Sequence, residues 1–266
     1  MSGRSGRSLF ARYAYAPNAL GYCGPVGAAV LEKVACGGEG ADVGGVDSAA
    51  RQFSGAWPYQ ELLAELSGVD DVLDERVVRG YWTGNELTAA VDRERFGREL
   101  LGRLGARAGH YWKYLTDDLL SEVAPTHAFH VFGVYPWTRL LGSGMPQPLH
   151  VLDSCRIRNG VVVELRPDAA VVRSRGLQFD GAKLTLGPLE DRPARRRTAT
   201  GPFVPELRVG DRVAVHWDLV CERLDADQAG SLEYWTDWQL RQTNPRLAAE
   251  FTGPVTDPTA DPLREA

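Results

Sequence analysis

Apolar positions change their rhythm along this chain, from helical spacing in the first half to short β-like runs in the second. The clearest helix is predicted over Glu86 to Leu104, where Leu87, Val91, Leu100, Leu101 and Leu104 fit one apolar face and Asn85 stands ready to cap the start. Val26 to Ala35 predicts another, with Pro25 in its first turn and Gly37 and Gly38 at its end. Tyr59 to Leu66 and Leu73 to Tyr81 read as shorter helices. Tyr111 to Val123 reads as a further one, with Tyr111, Tyr114, Leu115 and Leu119 facing inward. Between these lies a glycine-rich polar stretch, Glu39 to Ser48, that reads as a loop. Thr126 to Tyr135 suits a strand by its aromatic and β-branched residues and a helix by its flanks; Pro136 limits continuation of either.

From Leu149 onward the pattern is one of strands. Ile157, Val161 to Leu165 and Ala169 to Val172 are β-branched runs around the turn Arg166-Pro167-Asp168, and Leu177 to Phe179 with Lys183 to Leu186 flank Asp180-Gly181 as a hairpin. The Pro- and Arg-rich stretch from Gly187 to Thr198 reads as a long connection. Arg212 to His216 and Leu219 to Leu224 complete the strands, and a helix follows from about Asp225 to Gln242. Five or six short strands favour a barrel, because closure removes exposed edges. The expected class is α+β: a mainly helical domain over 1–148, a small β-barrel with a C-terminal helix over 149–244, and a loose Pro-, Asp- and Thr-rich tail over 245–266, the boundary resting on the change of character near Gly142 to Pro148.

Composition narrows the function classes. Of 266 residues, 44% are hydrophobic and 24% charged, which suffices for real cores, and a net charge of -5 gives no general attraction to nucleic acid. No apolar run approaches the roughly 20 residues that span a bilayer, and the start Met-Ser-Gly-Arg-Ser-Gly-Arg-Ser lacks the apolar core of a secretory signal. The expected location is therefore the cytoplasm, without membrane insertion. Cys23, Cys36, Cys155 and Cys221 show no CxxC spacing and are expected as thiols.

Two of these residues carry the main chemical expectation. Cys155 opens one β-like run and His216 closes a later one, so a thiolate and an imidazole at the ends of neighbouring strands can share one metal ion or act as nucleophile and base. Soft thiolate with imidazole suits iron or zinc. Cys23, in Leu20-Gly-Tyr-Cys-Gly-Pro25, sits just before a predicted helix whose dipole lowers a thiol pKa; a packed thiol in a tight turn is the alternative. His127 and His130 share a face if their segment is helical and oppose each other if it is a strand. Trp57, Trp82, Trp112 and Trp137 suit a core, and Arg195-Arg196-Arg197 suits a solvated loop.

The second half resembles the HypC/HybG family of nickel-iron hydrogenase maturation chaperones. Cys155, Gly160, Val162 and Glu164 fall on that family's Cys-x-x-x-Pro-Gly-x-Val-x-Glu block, and Val209, Gly210, Asp211, Val213, Val215 and His216 fall on its Val-Gly-Asp-x-Val-x-Val-His block. Leu219 to Asp225 then matches the strand that leads into the terminal helix, so the likeness covers roughly residues 153 to 242. Departures are the internal position of Cys155, Asn159 in place of proline, and Asp218 in place of a small residue. The resemblance implies an OB-like barrel and a carrier rather than a catalyst. Its Cys155 and His216 would bind iron with cyanide and carbon monoxide ligands, in company with a HypD-like scaffold, for delivery to the hydrogenase large-subunit precursor. Two other readings stand beside it: a cysteine hydrolase or amidotransferase using Cys23 with His127 or His130 as base, and an adaptor whose barrel has lost its ligand.

Overall fold

The computed structural model describes residues 2–27, 29–37, 42–105 and 117–252. The first half is helical: α1 (Ser2–Ala19), α2 (Ala29–Ala35), α3 (Val43–Ala50), α4 (Trp57–Ser67), α5 (Glu75–Trp82), α6 (Glu86–Ala90) and α7 (Arg93–Gly105). A 3-10 turn over Asp117–Glu122 leads to α8 (His127–Phe129), which continues as a π-turn over His130–Val134; a second 3-10 turn, Pro136–Ser143, precedes α9 (Gln147–Cys155). The strands are β1 (Arg158–Leu165), β2 (Ala169–Phe179), β3 (Leu184–Arg195), β4 (Arg212–His216) and β5 (Leu219–Arg223), and α10 (Ala226–Thr252) ends the described chain. The class is α+β with one five-stranded sheet.

Several elements depart from the sequence expectation for local reasons. The helix expected over Glu86 to Leu104 is two, because Val91 turns extended and the Asp92 carboxylate accepts the Arg95 N–H at 2.9 Å, which starts a new helix. Asn85 does cap the first of them, with Thr88 closing a capping box. The expected glycine-rich loop contains α3: Asp42 accepts the Gly45 N–H at 2.9 Å, and burial of Val46, Ala49 and Ala50 outweighs the glycines' poor helix propensity. α2 begins at Ala29, and Val26 is fully exposed. The ambiguous segment at Thr126 is helical. Gly38, Tyr111, Trp112, Tyr114, Leu115 and the tail after Pro254 lie outside the described residues.

The connection expected from Gly187 is instead the second half of β3, which pairs with β2 from Leu189↔Arg175 to Arg195↔Ala169. The two short β2 segments merge for the same reason: a long antiparallel partner satisfies their backbone groups. The strands follow one another as β1-β2-β3-β5-β4, and β4 pairs back onto β1, with Arg158 opposite Val215. The seam between β3 and β5 is a parallel bridge at Arg195↔Leu219.

Val162, Val172, Val213, Val215 and Val220 fill the interior of this ring. The larger core runs from α1 through α4, α5 and α8 to Cys155, Ile157, Trp217 and Cys221, so helices and sheet bury apolar area against each other. Polar ties cross the same boundary. Glu222 on β5 accepts the Tyr13 hydroxyl at 2.8 Å and pairs with Arg79 at 2.8 Å. Beyond them, α10 passes through Pro245 past the end expected at Gln242; there Arg246 pairs with the buried Glu122 at 2.6 Å. Among the described residues no helix is long and apolar enough to cross a membrane.

Candidate metal centre

Three elements far apart in sequence bring ligand atoms together where the helices meet the sheet. His216 ends β4, Cys155 ends α9, and His127 begins α8. One donor atom from each lies within 4.8 Å of the others, and all three residues are buried. Cys155 is therefore at a helix C-terminus and not on a strand: Val151, Leu152 and Cys155 face the core at helical spacing, and β1 starts only at Arg158.

The tautomer of His216 follows from a proline. Pro17 lies inside α1 and has no N–H, so the Tyr13 carbonyl one turn earlier lacks its helical donor. That carbonyl instead accepts from His216 Nδ1 at 2.7 Å. A carbonyl only accepts, so the proton is on Nδ1 and the lone pair is on Nε2. This Nε2 is buried and, among the described residues, makes no hydrogen bond of ordinary geometry, although the Cys155 backbone lies close enough to act on the ring. A ring nitrogen fixed by a backbone carbonyl, with its opposite nitrogen bare, is the arrangement metal-binding histidines use.

The turn after His216 is strained. Trp217 and Asp218 both hold positive φ, 49° and 54°, which suits a two-residue hairpin but is unusual for a bulky side chain. Trp217 is held there by stacking on Tyr22 at 4.0 Å between centroids and by its N–H, which donates to the Ser154 carbonyl at 2.9 Å. That second bond ties the β4–β5 turn to the residue beside Cys155. Asp218 pairs with the buried Arg158.

His127 has two partners. Nε2 lies 2.9 Å from the Cys155 carbonyl and 3.9 Å from the Cys155 thiol, and Nδ1 lies 3.0 Å from the Tyr81 hydroxyl. Cys23 and His130 line the same cavity, so all five residues singled out from sequence surround one space of about 30 Å³. Neither Cys23 nor His130 belongs to the close group. His130 packs edge-on against Tyr59 and Tyr135. Cys23 stands in the turn well before α2, so no helix dipole reaches it, and burial raises its thiol pKa instead of lowering it.

Burial sets every protonation state here. It pushes the Cys155 thiol up to about 12, and it pushes His130 and His216 down to about 4 and His127 well below its ordinary value. A neutral thiol beside neutral imidazoles is the reverse of the thiolate–imidazolium pair that a cysteine nucleophile needs. It suits ligation, where the imidazole offers a lone pair at once and the metal displaces the thiol proton. Sequence reasoning missed Pro17, Tyr13 and Tyr81. A proline among aromatic residues near the end of the first helix was the available signal for the first two.

A family model described as "Family of unknown function (DUF6390)" matches residues 2–250. No curated protein and no solved structure matches the chain.

Proposed function

We propose that this chain, which belongs to the DUF6390 family of unknown function, is an accessory protein of nickel-iron hydrogenase maturation. It carries iron with cyanide and carbon monoxide ligands on Cys155 and His216, in company with a HypD-like scaffold, and passes it to the hydrogenase large-subunit precursor. The observation that carries this reading is the bare, buried Nε2 of His216, within 4.8 Å of a donor on Cys155, at the two positions where the sequence resembles the HypC blocks. Support also comes from the closed ring of strand pairings followed by a helix, which is the order of an OB-like barrel with its terminal helix.

The donor set fits the cargo. An anionic sulfur is a strong donor to iron, and a neutral imidazole ligates without adding charge, which keeps release feasible. Space is the tighter condition. About 30 Å³ holds about two water-sized groups, so the metal fits the cavity as it stands. Three diatomic ligands need more room than that, so the cargo enters only if the cavity widens.

Infrared spectroscopy in the cyanide and carbonyl stretching region, with iron analysis, tests the reading on protein purified anaerobically from a host that expresses the maturation machinery. Iron with both signatures, lost in Cys155→Ala, is the expected result. Iron-free wild-type protein sinks the carrier reading, and its co-purification with a large-subunit precursor would point to an adaptor.

A further inference from the structure

We propose that His127, supplied by the helical half, is a third protein ligand that completes a one-sulfur, two-imidazole face for the metal. The inference rests on the carrier reading for the other two ligands and extends it to a residue outside the HypC-like region. Its basis is the convergence of His127, Cys155 and His216 within 4.8 Å and the hydrogen bonding that surrounds His127. Metal bonds of about 2.0–2.3 Å set donors about 3.4 Å apart, so closure requires the longest separation to contract by little more than an ångström. Side-chain rotation covers that distance. His127 Nε2 and the Cys155 thiol, 3.9 Å apart, are already close to it.

His127 differs from His216 in how its lone pair is held. Nε2 donates to the Cys155 carbonyl, so Nδ1 is the acceptor and the Tyr81 hydroxyl donates to it. Tyr81 has a second acceptor within reach, the Gly55 carbonyl at 3.4 Å. If its proton turns to Gly55, the phenolic oxygen accepts from Nδ1–H, and His127 gives its Nε2 proton to solvent and takes one back from solvent at Nδ1. Nε2 is then free to ligate, with Tyr81 orienting the ring. No net charge is gained or lost in that exchange, and the only proton released on metal binding is the Cys155 thiol's, which goes to solvent. Tyr81 is thus a positioning residue, and His127 is the ligand.

Cobalt(II), loaded anaerobically into the reduced full chain, is the probe. X-ray absorption at the cobalt edge is expected to show one sulfur and two imidazoles in the wild type; one sulfur with a single imidazole overturns the proposal. That measurement needs no variant. By competition titration, His127→Gln is expected to weaken cobalt binding about 100-fold, and Tyr81→Phe about 10-fold with far-ultraviolet circular dichroism unchanged. Wild-type affinity in both variants would refute the assignment, and the Tyr81 variant decides if His127→Gln does not fold. Loss of the thiolate-to-cobalt band in Cys155→Ala with retention of binding in His127→Gln removes only the third ligand. Retention of the band in Cys155→Ala removes the carrier reading itself.

Discussion

Replacement of Glu222 by alanine tests how helices and sheet are joined. Its two oxygens serve two partners from the helical half, Arg79 and the Tyr13 hydroxyl, each at 2.8 Å. Both ion-pair side chains are largely shielded, 14% exposed for Arg79 and 9% for Glu222. At 2.8 Å and an effective dielectric constant of 20 the pair attracts by about 6 kcal/mol, and desolvation of both ions cancels much of that. Removal of one partner differs, because the other charge stays behind. Burial works against the Arg79 charge and Glu222 offsets it, holding the guanidinium above its usual pKa; in the variant only Glu75, at 3.0 Å and 39% exposed, remains. That is the case in which losses of about 3–5 kcal/mol are found, and an orphaned Tyr13 hydroxyl adds to it.

The assay is urea unfolding followed by tryptophan fluorescence and far-ultraviolet circular dichroism. A loss of about 4 kcal/mol is expected, with the two probes moving together, since the core that holds Tyr13, Trp82, Trp217 and Cys221 is continuous. Glu222→Gln, which keeps an acceptor for Tyr13 but lacks the charge, is expected to lose about half as much. A loss below about 1 kcal/mol, or an early transition of the helices with the sheet unaffected, would refute the argument.

Acid should destabilise the protein in a defined window. His130 and His216 titrate near 4 when folded and near about 6.5 when unfolded, so between those values the unfolded chain binds more protons and stability falls as pH drops. The loss approaches about 3 kcal/mol for each histidine at pH 4 and vanishes above about pH 6.5; flat stability between pH 7 and 4.5 by urea titration would contradict the burial argument. In Gly6→Ala, a Cβ would stand 2.0 Å from the Leu73 carbonyl oxygen, so α1 and α5 must separate; a loss of about 1–3 kcal/mol in thermal unfolding is expected. Pro17→Ala restores an N–H that competes for the Tyr13 carbonyl. Cobalt affinity should fall about 10-fold, as for loss of an orienting contact, while thermal stability holds or rises; unchanged affinity would show that the carbonyl does not orient His216.

Legibility from sequence followed the range of the forces involved. The strands around Val161 and Val213 and the cap at Asn85 were readable because periodicity and capping are local. The break at Asp92 was also local, yet an unbroken apolar period masked it. The prolines from 187 onward argued for a loop, and only the long partner β2 overrides them. At the site, the residue types were legible and their surroundings were not. Cys23 loses its expected activation because the helix starts later and desolvation of the half-buried thiol raises its pKa. His127 comes close to Cys155 and His216 because its segment proves helical and starts against the Cys155 carbonyl, a contact between residues 28 positions apart that no local pattern encodes.

The site's dependence on both halves has a functional consequence. His216 is oriented by a carbonyl of α1, Cys155 is tied through Ser154 to the β4–β5 turn, and His127 enters from α8. The backbone strain at Trp217 and Asp218 persists because Tyr22 stacks on one and Arg158 pairs with the other. A metal held by these donors would bind the joined state and not the separated halves, and linkage then requires that it stabilise their contact by RT ln(1 + [L]/Kd). Were a metal bound there, a partner that prised Tyr22 from Trp217 would weaken the support of His216 and so lower metal affinity, by the same linkage. Under the carrier reading proposed above, opening and release would be coupled through the stacked pair, and docking alone would suffice to free the cargo.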